Sequence, residues 1–206
     1  MFKVKVKICG IRSLEAAKIA ISAGADYLGF NFVPTSHRFI ELTSAKEIIS
    51  HFPSHVKIVG VFQNEKIEKI IEIIEELKLD FVQLHDELLE YQGLTQYAGV
   101  IKAFHVVNTF DCEKLIKTIR NYDIDYVLLD RERQGSGDQL NLQMVRKIAS
   151  VYKTFLAGGL TPENVSAAVK IAQPYAVDVA GGIESDGKED IEKIQLFIRQ
   201  IRRVAQ

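Results

Sequence analysis

The sequence predicts an α/β protein, one (β/α)8 barrel of the TIM-barrel class spanning residues 1–206. Three observations lead there. Short β-branched or aromatic runs alternate with longer stretches of helical period from one end to the other. The runs number eight, and 206 residues shared among them leave about 26 per unit, enough for a strand, a helix and two short loops. An open dinucleotide-binding sheet would place GxGxxG after its first strand, whereas Gly135-Ser136-Gly137 follows the sixth.

The strands are expected at residues 4–9, 27–32, 57–62, 81–84, 100–105, 126–130, 154–157 and 176–179. Most are nearly unbroken apolar runs, as parallel strands covered on both faces require. Between them the period changes. Ile67, Ile70, Ile71, Ile74 and Leu77 form one apolar stripe opposite Glu68, Lys69, Glu72 and Glu76. Leu115, Ile116 and Ile119 do the same over a shorter stretch, and Ile191, Ile194, Phe197, Ile198, Ile201 and Val204 close the chain. Helix starts are expected at Ser13, at Asn64 and at Thr161-Pro162-Glu163, a cap residue followed by proline. No Pro/Gly/Ser linker divides the chain, so one domain is expected.

Composition narrows the partners. Twenty-six Lys and Arg face 27 Asp and Glu, a net charge of −1, without the basic excess that nucleic acid demands. The one tight cluster, Arg199, Arg202 and Arg203, sits at the end of the last helix, where cations complement the macrodipole. Two cysteines, Cys9 and Cys112, make no disulfide framework. The first seven residues alternate apolar and charged side chains, unlike a signal peptide, and no apolar run reaches the ~18 residues of a membrane span. A soluble cytoplasmic protein is expected, without nucleic-acid or membrane partners.

The chemically capable residues collect where strands end: Cys9, Asn31, Gln63, His85, His105, Asp130, Gly158-Gly159 and Asp178. In a barrel these ends meet on one rim, where active sites of this architecture lie. Gly158-Gly159 after the seventh strand and Gly181-Gly182 after the eighth stand where such barrels commonly bind phosphate. Glycine lets backbone amides approach an anion closely, so a phosphorylated small molecule is the expected substrate.

Particular stretches carry a family resemblance. Lys7-Ile8-Cys9-Gly10-Ile11, Val82-Gln83-Leu84-His85, Leu128-Leu129-Asp130 and Gly158-Gly159-Leu160-Thr161-Pro162-Glu163-Asn164-Val165, in this order, resemble phosphoribosylanthranilate isomerases of tryptophan biosynthesis. The resemblance runs from the first strand to the last helix. It implies an Amadori rearrangement, in which an acid opens the ribosyl ring and a base removes a proton from C2′. It further implies Cys9 as general base, Asp130 as general acid and Arg38 as partner of the anthranilate carboxylate. His85 and Asp178 would line the site or orient neighbours, and Gly158, Gly159, Gly181 and Gly182 would hold phosphate. No cofactor and no metal are implied, and a monomer or homodimer is open. The physics then expects a thiol lowered modestly from ~8.5 and a carboxyl raised from ~3.9 beside the substrate's own anions. The alternatives are another sugar-phosphate isomerase or epimerase on the same barrel, with or without a metal held by His85, Asp130 and Asp178, or a barrel that binds a phosphosugar without turning it over or serves as an interaction subunit of the pathway.

Two stretches depart from the family pattern. After the sixth strand an aromatic-acid-aromatic triplet is replaced by Leu140-Asn141-Leu142, with Asp138 adding negative charge nearby. After the eighth strand, Ser-Ser-Gly becomes Ala180-Gly181-Gly182, which removes hydroxyl donors and leaves backbone amides. Altered loop packing or affinity is expected, with the reaction retained.

Overall fold

The structure, a computed structural model, describes residues 4–86, 91, 93–107, 109–131 and 140–204. Eight parallel strands close into a barrel in chain order: β1 (Lys5–Cys9), β2 (Tyr27–Asn31), β3 (Lys57–Phe62), β4 (Phe81–Leu84), β5 (Gly99–Val106), β6 (Tyr126–Arg131), β7 (Thr154–Leu156) and β8 (Ala176–Val179). Each lies within one residue of its expected bounds, because the apolar runs that sequence shows are the buried strands themselves. Closure comes from β1 pairing with β8, Lys7 opposite Asp178 in the register.

Among the described residues, seven helices surround the strands: α1 (Leu14–Ala23), α2 (Leu42–Ile49), α3 (Ile67–Leu77), α4 (Cys112–Ile119), α5 (Leu142–Ala149), α6 (Val165–Ala172) and α7 (Ile191–Val204). Among the described residues, the connection from β4 to β5 holds a single 3₁₀ turn, Leu94–Gln96, so the expected eighth helix is absent from them. Ser13 caps α1 as expected, accepting from the Ala16 amide. Two other starts are corrected. Asn64 adopts a left-handed backbone and donates its amide to Asp86, so α3 begins only at Ile67. Thr161 to Asn164 form a turn tied by Asn164 Oδ1 accepting from the Thr161 amide, and α6 starts at Val165. Gly135-Ser136-Gly137 lies outside the described residues, as does Asp138 of the family departures, whereas Asn141 caps α5 by accepting from the amides of Gln143 and Met144.

Alternation along each strand divides two cores. Val4, Val6, Ile8, Leu28 and Phe30 face outward to the helices within the larger apolar cluster. Tyr27, Val59, Ile101, Leu128, Phe155 and Ala176 fill the barrel interior. At its lower end Tyr27, Phe81, Tyr126, Phe155 and Tyr175 pack edge-on or stacked, which closes the barrel opposite the strands' C-terminal rim. The same parity on β1 turns Lys5, Lys7 and Cys9 away from the helices and toward the interior.

Below the barrel one acidic residue recurs before alternate strands. Asp26, Asp80 and Asp125 precede β2, β4 and β6, and each carboxylate accepts an amide from the preceding strand: Val6, Ile58 and Val100. Asp26 also holds Lys5 at 2.7 Å and Arg202 of α7 at 3.0 Å. Burial would raise its carboxyl, but the Lys5 contact, the Val6 amide and Arg202 outweigh it and hold Asp26 below the ordinary carboxylate range. A depressed folded value means stability that is present above the unfolded value near ~3.9 and is lost as pH falls through the folded one. Asp26→Asn is therefore expected to cost about 1–3 kcal/mol in urea unfolding at pH 7, with the deficit shrinking as the titration is carried below the ordinary carboxylate range.

Candidate active site

The rim holds a cavity of about 400 Å³ walled by Arg38, Asp130, Arg131, Asp178 and the turns Gly158-Gly159 and Gly181-Gly182. Seven of the nine residues expected at the site are thus brought to one cavity, and two are not. Cys9 and His85 are not part of its wall. A larger hollow of about 570 Å³ lies among the outer helices, lined by residues such as Arg146, Val169 and Val204, away from the strand ends.

Cys9 ends β1 at 8% exposure, against Gly29 of β2. A Cβ on Gly29 would stand 2.8 Å from Cys9 Sγ and 3.1 Å from Lys7 Nζ, so glycine leaves the room that both side chains occupy. Lys7 is fully buried, and its ammonium holds Asp178 Oδ1 at 2.8 Å. Burial disfavours that ammonium, yet Asp178 and the thiol beside it outweigh this and keep Lys7 above the usual lysine range. Burial likewise pushes the Cys9 thiol up; Lys7 pulls it down, Asp178 adds to the rise, and Arg38 pulls down. The modest downward shift expected for the thiol is therefore corrected. Removing water from a sulfur that would carry charge costs more than one shared cation returns.

Asp130 ends β6 and accepts the Arg131 amide at 2.7 Å. Burial raises its carboxyl above the usual range, opposed by that amide and reinforced by Asp178. The expected direction holds even before a substrate's anions are present. Asp178 is 8% exposed and does two things at once, walling the cavity and gripping Lys7.

Arg38, in the loop after β2, is already engaged. Its Nε and Nη2 each meet an oxygen of Glu184 at 2.7 Å, a bidentate fork that fixes the guanidinium plane at the cavity wall. Burial would raise the Glu184 carboxyl, but the hydrogen bonds and charge of Arg38 hold it below its usual range. Glu184 was not among the expected residues, and the signal for it was Ile183-Glu184 directly after the Gly181-Gly182 turn.

The glycine pairs divide by role. Gly158 and Gly159 have φ of 84° and 78°, a backbone that disfavours other residues, and a Cβ at either would strike the Arg131 side chain. Arg131 thus brings a guanidinium against the first turn, a cation that sequence reading missed although it follows Asp130 directly. Gly181 faces Arg38 Nη2, whereas Gly182 is demanded by packing, since a Cβ there would fall into the carbonyl of Leu160.

His85 stands apart, accepting at Nε2 from Gln83 at 2.8 Å. A ring that accepts there carries its proton on Nδ1, 3.3 Å from His105 Nε2. Burial, then His105, then the cations Lys7 and Lys102 push His85 down to about 3. It is a neutral hydrogen-bonding group. Of the other rim residues, Asn31 braces its own loop by accepting the Val33 amide, and Gln63 is exposed. Among the described residues no group of three or more His, Cys, Asp and Glu is placed to hold a metal, so His85, Asp130 and Asp178 do not form a ligand set.

Residues 6–200 match the family model for N-(5'phosphoribosyl)anthranilate (PRA) isomerase. The N-(5'-phosphoribosyl)anthranilate isomerase of Chloroherpeton thalassium is 40% identical, covering 97% of this chain and 96% of that protein. A crystal structure of phosphoribosyl anthranilate isomerase with reduced 1-(o-carboxyphenylamino)-1-deoxyribulose 5-phosphate superposes with a TM-score of 0.85 at 34% identity, covering 97% and 99% of the two chains. The structure of monomers generated from the dimeric Thermotoga maritima isomerase superposes with a TM-score of 0.84 at 33% identity, with 97% and 99% covered.

One site residue makes a spectroscopic prediction. With its ring pushed down to about 3, His85 is expected to show no NMR titration between pH 5 and pH 8, as its imidazole carbons or nitrogens would reveal. An inflection in that window would remove His85 from the neutral network.

Proposed function

The chain belongs to the N-(5'-phosphoribosyl)anthranilate isomerase family, and on that premise we propose how its own residues carry the Amadori rearrangement of tryptophan biosynthesis. Asp130 donates a proton to the ribosyl ring oxygen as the C1′–O bond breaks and the anthranilate nitrogen lone pair forms C1′=N. Cys9, as thiolate, removes the proton from C2′, and that electron pair neutralises the iminium to give an enolamine. Loss of the hydroxyl proton from O2′ and return of a proton to C1′ yield the amino-ketose, isomeric with the substrate. Arg38 meets the anthranilate carboxylate, held in plane by Glu184. The phosphate lies at Gly158-Gly159 and Gly181-Gly182, with Arg131 beside the first turn. His85 and Asp178 hydrogen-bond the ligand or its neighbours.

The observation that carries these roles is electrostatic. The wall of the cavity holds a carboxyl raised by burial, as a proton donor requires, between two guanidinium groups suited to a ligand with carboxylate and phosphate ends. The relative solved with the reduced product-like phosphate supports the same class of ligand. The proposal takes residues 1–206 as one barrel domain acting in the cytoplasm. Its quaternary state is a monomer or homodimer, the Thermotoga maritima relative being described as dimeric.

Cys9→Ala and Asp130→Asn are each expected to lower kcat by about 10²–10⁴-fold while affinity for the reduced product analogue stays within a few fold. Steady-state kinetics and calorimetric titration read the two quantities, and unchanged turnover in both variants would sink the assignment. The pH dependence follows from the two shifts. An acid that must keep its proton and a base that must lose it are active together only as the minor protonation state, because a thiol releases its proton above a carboxyl. The kcat/KM profile is therefore expected to be bell-shaped, rising through the raised Asp130 value and falling through the raised Cys9 value. A profile that rises into the thiol range without falling again would contradict it.

A further inference from the structure

Lys7 has no part in the chemistry described so far, yet it is a charged group with no exposure at all. A lysine ammonium fully out of water is costly unless another group needs its charge. Its carboxylate partner, Asp178, is only half of its surroundings. On the other side stands Cys9 Sγ, and both heads press toward the space that Gly29 leaves open.

We propose that Lys7 is a positioning residue for the base: its ammonium, set between Asp178 and Cys9, favours the thiolate, and Asp178 meters how much of that charge the sulfur receives. This rests on Cys9 being the base. Asp178 faces the cavity on one side and Lys7 on the other, so a ligand hydroxyl that donates to Asp178 draws on the same carboxylate that holds the ammonium. Ligand binding then loosens the hold on Lys7 and strengthens its action on the thiol. The charged groups facing Cys9 are Lys7 on its own strand, Asp178 from β8 and Arg38 from the loop after β2, with β2 offering only Gly29. Arg38 holds Glu184 through both Nε and Nη2. Lys7, though paired with Asp178, is the cation whose head also lies beside the sulfur and acts on it more strongly than Arg38.

The test reads the thiol itself, in ligand-free protein carrying Cys112→Ser so that Cys9 is the remaining cysteine. Alkylation by iodoacetamide, followed by intact mass from pH 6 to pH 11, gives the ionisation midpoint of Cys9. Lys7→Met is expected to raise that midpoint by about one unit or more, which is tenfold slower alkylation at pH 7 for each unit. Asp178→Asn is expected to move it the opposite way. The double variant leaves no unpaired charge, so it keeps the test open if Lys7→Met does not fold, and its midpoint is expected above that of the parent. In turnover, Lys7→Met should lower the kcat/KM plateau while moving its alkaline limb upward, with KM changed less than kcat. A Lys7 that merely fills the barrel predicts no opposed shifts. Unmoved midpoints, or shifts of one sign in both single variants, would overturn the proposal. Activity of Cys9→Ala separates the two ideas: a silent Cys9→Ala sinks the base even if the midpoints move, and fixed midpoints sink Lys7 even if Cys9→Ala is inactive.

Discussion

The seam between β1 and β8 is the contact on which the rest of the site depends. These strands are the first and last of the barrel, and their pairing converts an open sheet into a closed one. Lys7 and Asp178 are register partners across that seam, and their side chains both turn inward and meet at 2.8 Å. Closure therefore does more than bury apolar surface. It places a cation from the start of the chain against an anion from its end, directly beneath the cavity. Neither charge would be tolerable there without the other. The residue after next on β1, with the same parity, is Cys9. Barrel closure and the placing of an ammonium beside the thiol are consequences of one register.

The two proton-carrying groups face a shared difficulty. In the proposed roles, burial that suits Asp130 by keeping it protonated works against Cys9, which would have to be ionised to act. A uniformly dry site would raise both together and leave the gap between them, and with it the productive fraction, unchanged. The structure answers by distributing charge unevenly. Asp178 adds to the rise of both, but it is Cys9 that has the Lys7 ammonium at its side and Arg38 beyond. Environment sets the two values by which neighbours each group keeps, and strand register decides the neighbours.

The strands were legible because burial on both faces makes them continuous apolar runs, and polar residues at their ends mark the rim. The parity of β1 was less transparent. In Lys3-Val4-Lys5-Val6-Lys7 the lysines look like a solvent face, as they would on an open sheet. In a barrel wrapped by helices the apolar Val4, Val6 and Ile8 meet the helices, so the opposite face points into the interior. Lys7 was therefore readable from the barrel prediction and the two-residue spacing to Cys9, but not from polarity. Helix starts were harder. Asn64 and Thr161 have the chemistry of caps, yet tertiary contacts gave them other work: Asn64 donates its amide to Asp86, and Thr161 is tied into a turn by Asn164. The pairing of Arg38 with Glu184 joins loops 146 residues apart, which no local pattern records.

The departures from the family pattern also find their meaning in contacts. Asn141, within Leu140-Asn141-Leu142, supplies the oxygen that a helix start needs, so loss of an acid there leaves α5 capped. At Ala180-Gly181-Gly182 the second glycine is fixed by the Leu160 carbonyl, which occupies the space of any side chain. What the lost hydroxyls would have given an anion can come from a cation instead. Arg131 lies across Gly158-Gly159 on the same cavity wall, and a guanidinium offers stronger, charge-assisted bonds than a serine. In the proposed site, the anion end is built less from hydroxyls and more from charge. Its affinity should accordingly weaken more steeply with salt than that of a site made of neutral donors, because screening acts on the charged partner.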